Sequence, residues 1–245
     1  MLKELDLILP HLPSGDVIEI GCGTGFLTQG LVDRMGDRPL IITDLSEAML
    51  TACQSQISLN RPSTHIQFEA LDGELWQPIR EKYSLIISSF AVQWFQQLEA
   101  ALERWISALK PGGAILISFP TCHSFPEWKA ACQQLGLPFT ANPLPDPGAI
   151  AQAVAHSPVQ IHYWQESIGV PFKSSLDFFR NLKQIGAGTS IFQKQLSVLE
   201  FKQLINTLDR PESFSTKNLF IEAPATANSS VCIHYEVAYF TIFLK

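Results

Sequence analysis

Three alternating glycines set directly behind a short apolar run constrain the fold of this chain more than any other feature. Val17, Ile18 and Ile20 supply the run, Gly21-Cys22-Gly23-Thr24-Gly25 follows at once, and Phe26 to Val32 then has the spacing of an amphipathic helix. A buried strand feeding a helix through so tight a turn is a corner of an α/β fold. The helix N-terminus behind it suits an anion or a nucleotide.

The same alternation continues along the chain. Leu2, Leu5, Ile8 and Leu9 predict a short helix stopped by Pro10 and Pro13. Leu40 to Asp44 reads as a second buried strand ending in a carboxylate, with Ser46 capping the next helix. His65 to Glu69, Tyr83 to Ser89 and Ala114 to Phe119 read as three more strands. A helix over Leu98 to Leu109 precedes the last of them, ended by the stop and turn Lys110-Pro111-Gly112-Gly113.

After Pro120 the rhythm loosens. Helices are expected over Glu127 to Leu135, Ile150 to Ala155, Leu176 to Ile185 and Gln193 to Leu208, with a proline loop at Pro138, Pro143, Pro145 and Pro147. Ile161 to Val170 and Val231 to Leu244 are the sixth and seventh strands. The expectation is a single Rossmann-like α/β domain, a mostly parallel seven-stranded sheet whose last strand is antiparallel, with a helical insertion at about 171–230 before it.

Composition excludes several classes. With 46 % hydrophobic and 16 % charged residues the chain is not disordered, and a net charge of −6 argues against nucleic acid as a partner. The charge is uneven: residues 171–222 carry seven Lys or Arg against five acids. Five cysteines without CxxC spacing read as reduced thiols rather than disulfides or a metal site. No run approaches the roughly 18–20 apolar residues of a membrane span, and no signal pattern opens the chain, so a cytoplasmic protein without a membrane partner is expected.

The turn departs from the dinucleotide fingerprint G-x-G-x-x-G. Its third glycine, Gly25, comes one place early, and Phe26 stands where that fingerprint wants glycine. Glu19 is expected to project a carboxylate into the crevice, repelling a pyrophosphate and favouring a cationic ligand. The stretch resembles motif I of the class I S-adenosylmethionine-dependent methyltransferases, (D/E)-x-G-x-G-x-G, whose cofactor carries a sulfonium and an ammonium group and no phosphate. The resemblance implies that Glu19, Gly21, Cys22, Gly23, Gly25 and Ser88 line the cofactor site. Asp44 would take both ribose hydroxyls, Leu45 and Met49 would pack the adenine, and Asp72 would receive its amine.

Later segments narrow the resemblance. Ser88-Ser89-Phe90-Ala91-Val92-Gln93-Trp94 is similar to S-N-x-A-x-Q-W of the malonyl-[acyl-carrier protein] O-methyltransferases of biotin synthesis. Ser124-Phe125-Pro126-Glu127-Trp128 resembles that family's S-x-P-E-L, Leu182-Lys183-Gln184-Ile185-Gly186-Ala187 its L-K-x-I-G-A, and Tyr235-Glu236-Val237-Ala238-Tyr239 its Y-E-V-I-Y. Two departures stand out. Ser89 replaces an Asn, and only 16 residues precede Val17, where the family carries a longer segment that folds over the cofactor.

The resemblance implies a cofactor-binding half over 1–120, an acceptor region over 121–230, a terminal strand over 231–245, and malonyl-acyl carrier protein as partner. A malonyl carboxylate is already ionised at neutral pH, so the reaction needs alignment rather than a general base. Arg180 and Lys183, three apart on one helix, are the candidates for holding it, with Gln93 and Trp94 shaping the floor of the cleft. The competing readings are a methyltransferase of quinone precursors or free carboxylic acids, a cofactor-binding protein without catalysis, and an NAD-dependent oxidoreductase, which Glu19 and Phe26 disfavour.

Overall fold

The computed structural model describes residues 1–58, 65–185, 195–210 and 231–245. In chain order the elements are α1 (Leu2–Ile8), β1 (Asp16–Ile20), α2 (Phe26–Met35), β2 (Leu40–Asp44), α3 (Glu47–Ser58), β3 (Ile66–Ala70) and β4 (Tyr83–Ser89). There follow α4 (Leu98–Ala108), β5 (Leu109–Pro120), α5 (Pro126–Leu135), α6 (Pro147–Val154), β6 (Val159–Phe172), α7 (Ser175–Gln184), α8 (Val198–Leu208) and β7 (Val231–Leu244). The seven strands form one mixed sheet in the order β3-β2-β1-β4-β5-β7-β6, with β1 to β5 parallel and the last two antiparallel.

The β6–β7 pairing runs in a single register. Tyr163 stacks on Phe240 and Trp164 on Tyr239, Ser167 bonds Glu236, and the Lys245 N–H donates to Pro158, so each step forward on one strand is a step back on the other.

The chain divides into two compact units, 1–119 with 145–165 and 238–245, and 120–144 with 166–237. In the first, period-two alternation sorts the strand residues into two cores. Val17, Leu40, Ile42, Leu85 and Ile87 pack with Leu31 and Met35 of α2 and with Leu50, Cys53 and Ile57 of α3. Their neighbours Ile18, Ile20, Ile41, Ile86 and Ile115 pack on the other face with Trp105 of α4 and Ile150 of α6. Strands covered on both faces explain the unbroken apolar runs of the sequence.

The second unit is built on aromatic rings. Phe125 and Trp128 meet Phe178, Trp128 also meets Phe179, and Phe179 meets Phe201, so rings join α5, α7 and α8. Ile233 of β7 is buried in the same cluster. The helices begin at real caps: Ser174 accepts from Asp177, and Ser197 with Glu200 closes a capping box.

Three boundaries differ from the sequence expectation. Lys110 to Gly113 does not precede β5 but lies within it. Leu109 already pairs with Tyr83, and the register resumes at Ala114 opposite Leu85, so the four residues are a bulge. Helix α6 starts earlier than expected, at Pro147, because Asp146 accepts from the N–H groups of Gly148 and Ala149. Helix α8 starts only at Val198; Gln193 and Lys194, like Gly186 and Ala187, lie outside the described residues.

Candidate functional site

The glycine turn joins β1 to α2, and its own polar groups hold it shut. The N–H groups of Gly21 and Cys22 both donate to the Thr43 carbonyl at 2.9 Å, and that of Gly25 donates to Cys22. The Gly23 N–H donates to Asp44 Oδ2 at 2.9 Å. A phosphate therefore finds these donors occupied and a carboxylate beside them. The turn is unsuited to a pyrophosphate, and the carboxylate that makes it so is Asp44.

Glu19 plays a different part from the one expected. It is 1 % exposed and does not project into the crevice. Alternation places residue 19 on the same face as Val17, under α2 and α3, where its Oε2 accepts from Thr28 at 2.7 Å. Burial pushes its carboxyl up to about 8, against the opposing pull of the Thr28 hydroxyl. The signal was in the sequence: residue 19 must share a face with residue 17.

Asp44 is rigidly aimed. Oδ2 takes the Gly23 N–H, and Oδ1 takes that of Ser46 at 2.8 Å. Each oxygen retains a further lone pair, enough for a pair of hydroxyls. Leu45 and Met49, 73 % and 42 % exposed, put bare apolar surface beside it. Asp72 Oδ1 turns the chain by accepting from Glu74 and Leu75, and a cavity of about 360 Å³ opens beside it, lined also by Gln77 and Arg104.

The segment after β4 closes on the turn. Ala91 Cβ stands 2.3 Å from where a Gly21 Cβ would be, so this contact requires glycine. Nothing lies within 4 Å of a Cβ at Gly23, and the backbone there faces open space. Phe90 adopts a left-handed φ of 55°, and a 3-10 turn over Val92–Trp94 follows. Gln93 Nε2 donates to the Phe90 carbonyl at 2.7 Å, while its buried Oε1 has no partner among the described residues. Such an acceptor suits a ligand N–H or O–H. Trp94 is 47 % exposed.

Ser88 departs from its expected role. It is fully buried, and its hydroxyl donates to the Ile20 carbonyl at 2.7 Å, tying β4 to β1 rather than facing a ligand. Cys22 is likewise buried, and its thiol donates to the Gly23 carbonyl at 3.6 Å.

These features fit S-adenosylmethionine. Its ribose hydroxyls match the Asp44 oxygens, its ammonium is a donor of the kind Gln93 Oε1 lacks, and its want of phosphate matches a turn with few donors to give.

In the second unit, Arg180 and Lys183 are exposed on α7, and Arg180 is paired with Asp177 at 3.2 Å. Leu182 between them is buried, with Phe178, in the aromatic core. The Ser124–Glu127 segment is a latch that sequence reasoning missed. Ser124 Oγ donates to the Glu236 carbonyl and accepts the Glu236 N–H. Glu127 accepts both the His234 N–H at 3.1 Å and the His234 ring Nδ1–H at 2.5 Å. Two of the resemblance-bearing segments are thus parts of one contact.

A methyltransferase domain model matches residues 17–113. The chain is 36 % identical over 185 residues to the malonyl-[acyl-carrier protein] O-methyltransferase of Magnetococcus marinus, covering 76 % of this chain and 66 % of that protein. It is 30 % identical over 209 residues to the enzyme of the same name from Priestia megaterium, covering 78 % and 73 %. A trans-aconitate 2-methyltransferase of Sinorhizobium fredii is 26 % identical over 183 residues, covering 71 % and 68 %. Among solved structures, the YcgJ protein of Bacillus subtilis superposes with a TM-score of 0.66 at 12 % identity, covering 100 % of this chain and 97 % of that one. The strand order, the glycine turn and these likenesses agree: the chain belongs to the class I S-adenosylmethionine-dependent methyltransferases, in the group that includes the malonyl-[acyl-carrier protein] O-methyltransferases.

Proposed function

We propose that this protein transfers a methyl group from S-adenosylmethionine to the free carboxylate of a malonyl thioester on acyl carrier protein, yielding the methyl ester that primes biotin synthesis. The observation that carries the reading is the likeness to two malonyl-[acyl-carrier protein] O-methyltransferases, at 36 % and 30 % identity, extending well past the methyltransferase domain at 17–113.

Bound S-adenosylmethionine supplies an electrophilic methyl on a sulfonium. The chain's part is to hold and orient. Asp44 fixes the ribose, Leu45 and Met49 flank the adenine, Asp72 takes its amine, and Gln93 Oε1 accepts an N–H. Because the acceptor carboxylate is ionised at neutral pH, no residue has to remove a proton. Alignment and exclusion of water then supply the acceleration, for which the exposed apolar surface of Trp94 is suited. The exposed cations Arg180 and Lys183 serve the acceptor side, with Asp177 holding the guanidinium in place. Free thiols and the want, among the described residues, of any helix apolar enough to cross a membrane accord with a cytoplasmic setting.

The likeness to a trans-aconitate 2-methyltransferase favours a second reading, a small free polycarboxylic acid as acceptor. Methyl transfer from labelled S-adenosylmethionine to malonyl-acyl carrier protein, malonyl-CoA and trans-aconitate separates the two. We expect kcat/KM at least ~10-fold higher for the carrier-bound substrate; a preference for trans-aconitate would establish the second reading instead.

A further inference from the structure

One side chain joins the loops that follow β3 and β4. Glu74 Oε1 accepts the N–H of Gln96 at 2.8 Å and that of Gln97 at 2.6 Å. Gln97 is the N-cap of α4, and its own side chain makes no cap bond. A carboxylate from another loop therefore stands at the start of this helix, where negative charge is favoured. Gln96 is two residues past Trp94, and between them Phe95 packs edge-on against Trp105. The two hydrogen bonds thus grip the chain directly behind the turn that carries Gln93 and Trp94.

The loop that supplies Glu74 is itself firmly held. Asp72 Oδ1 accepts from the N–H groups of Glu74 and Leu75, at 2.9 and 3.1 Å. Arg104 donates to the Glu74 carbonyl, and Trp105 Nε1 to the Gly73 carbonyl at 3.1 Å. Gly73 is pressed so close to β1 that a Cβ there would stand 2.2 Å from Ile20 Cγ2. Each of these bonds uses a backbone atom of residues 73–75, so all of them survive removal of the Glu74 side chain.

We propose that Glu74 is a positioning residue for methyl transfer: it passes the hold of the cofactor on the Asp72 loop across to the Gln93–Trp94 turn. The inference rests on the cofactor reading, in which Asp72 takes the adenine amine, and not on the choice of methyl acceptor. A ligand on Asp72 restricts the turn in which Glu74 lies. The paired hydrogen bonds of Glu74 carry that restriction to Gln96 and Gln97. Gln93 and Trp94, which shape the floor of the cleft, are then fixed when the cofactor is in place. Because a misplacement of about 1 Å costs an aligned reaction on the order of 10²-fold, this grip bears on turnover more than on cofactor affinity.

The test uses the full chain, with amide hydrogen exchange read at Gln96 and Gln97. Saturating S-adenosylmethionine is expected to slow exchange at both amides by ~3-fold or more, and to leave them unchanged in Glu74→Ala. Methyl transfer is measured with the better acceptor of malonyl-acyl carrier protein and trans-aconitate. In Glu74→Ala, kcat is expected to fall at least ~10-fold while calorimetric affinity for S-adenosylmethionine changes less than ~3-fold. Glu74→Gln keeps an oxygen for the two N–H groups and is expected to restore kcat to within ~3-fold of the parent. Glu74→Asp keeps the charge but withdraws the oxygen by one methylene. It is expected to behave as Glu74→Ala does, and it decides the matter if the alanine variant does not fold. Equal slowing of exchange in Glu74→Ala and the parent would overturn the proposal. So would a loss of affinity matching the loss of kcat, or a Glu74→Gln variant as slow as Glu74→Ala. A parent chain that binds no S-adenosylmethionine would overturn the cofactor reading and this inference with it, whereas binding without slowed exchange overturns the inference alone.

Discussion

Glu19 reaches Thr28 through a 2.7 Å hydrogen bond beneath the glycine turn, joining the strand before the turn to the helix after it. The carboxyl is raised to about 8 by burial, so the folded protein holds a proton that the unfolded chain releases near the ordinary value of 4.5. The sign follows: stability falls as pH climbs from roughly 4.5 to about 8, by at most ~1.4 kcal/mol per pH unit, and levels off above. In Glu19→Gln that slope is expected to vanish. Thermal midpoints measured across this range check it; an equal slope in both proteins would remove Glu19 as its source.

Asp44→Ala takes away the acceptor for the Gly23 and Ser46 N–H groups as well as the proposed ribose contact. Affinity for S-adenosylmethionine is expected to drop by a factor of ~10² or more, since charge-assisted hydrogen bonds contribute about 1.5–3 kcal/mol each. Calorimetry on the folded variant, with its circular dichroism as control, measures this.

Gly25 has φ +95° and the Cys53 sulfur where a side chain would go. Gly25→Ala should lower stability by ~1–3 kcal/mol through strain and overpacking together. Urea denaturation reads the loss, and Cys53→Ala in the same chain is expected to restore the overpacking part alone.

Glu127→Ala would strip the His234 backbone and ring of their acceptor in a site where Glu127 is only 8 % exposed. A cost of ~2–4 kcal/mol is expected, against under ~0.5 kcal/mol for the exposed Lys183→Ala. On the proposed substrate the ranking reverses in kinetics: Lys183→Ala should raise KM for malonyl-acyl carrier protein while leaving the KM for S-adenosylmethionine unchanged. Steady-state assays with each substrate varied in turn decide the point.

Much of the architecture was legible because a parallel sheet covered on both faces writes itself as apolar runs such as Leu40 to Ile42 and Leu85 to Ile87. Asp44 could be placed at a strand end for the same reason. Glu19 was misread because motif position gives a residue's place along the chain, while its face follows from alternation with Val17. Ser88 and the Ser124–Glu127 latch were beyond sequence reasoning on other grounds. Their partners lie far away in sequence, and all but the His234 ring are backbone groups, the Ile20 carbonyl and the His234 and Glu236 main chain, which carry no side-chain signature. The bulge at Lys110 to Gly113 hid because proline and glycine mark a turn without saying whether a strand resumes on the same partner.

Strand β7 gives Ala238, Phe240 and Ile242 to one hydrophobic core and Ile233 to another. During synthesis the residues before it therefore emerge from the ribosome with both cores short of a wall. A chain stopped shortly before Val231 would lack Ile233, Ala238, Phe240 and Ile242, and is expected to leave apolar surface of both cores uncovered and open to aggregation and proteolysis.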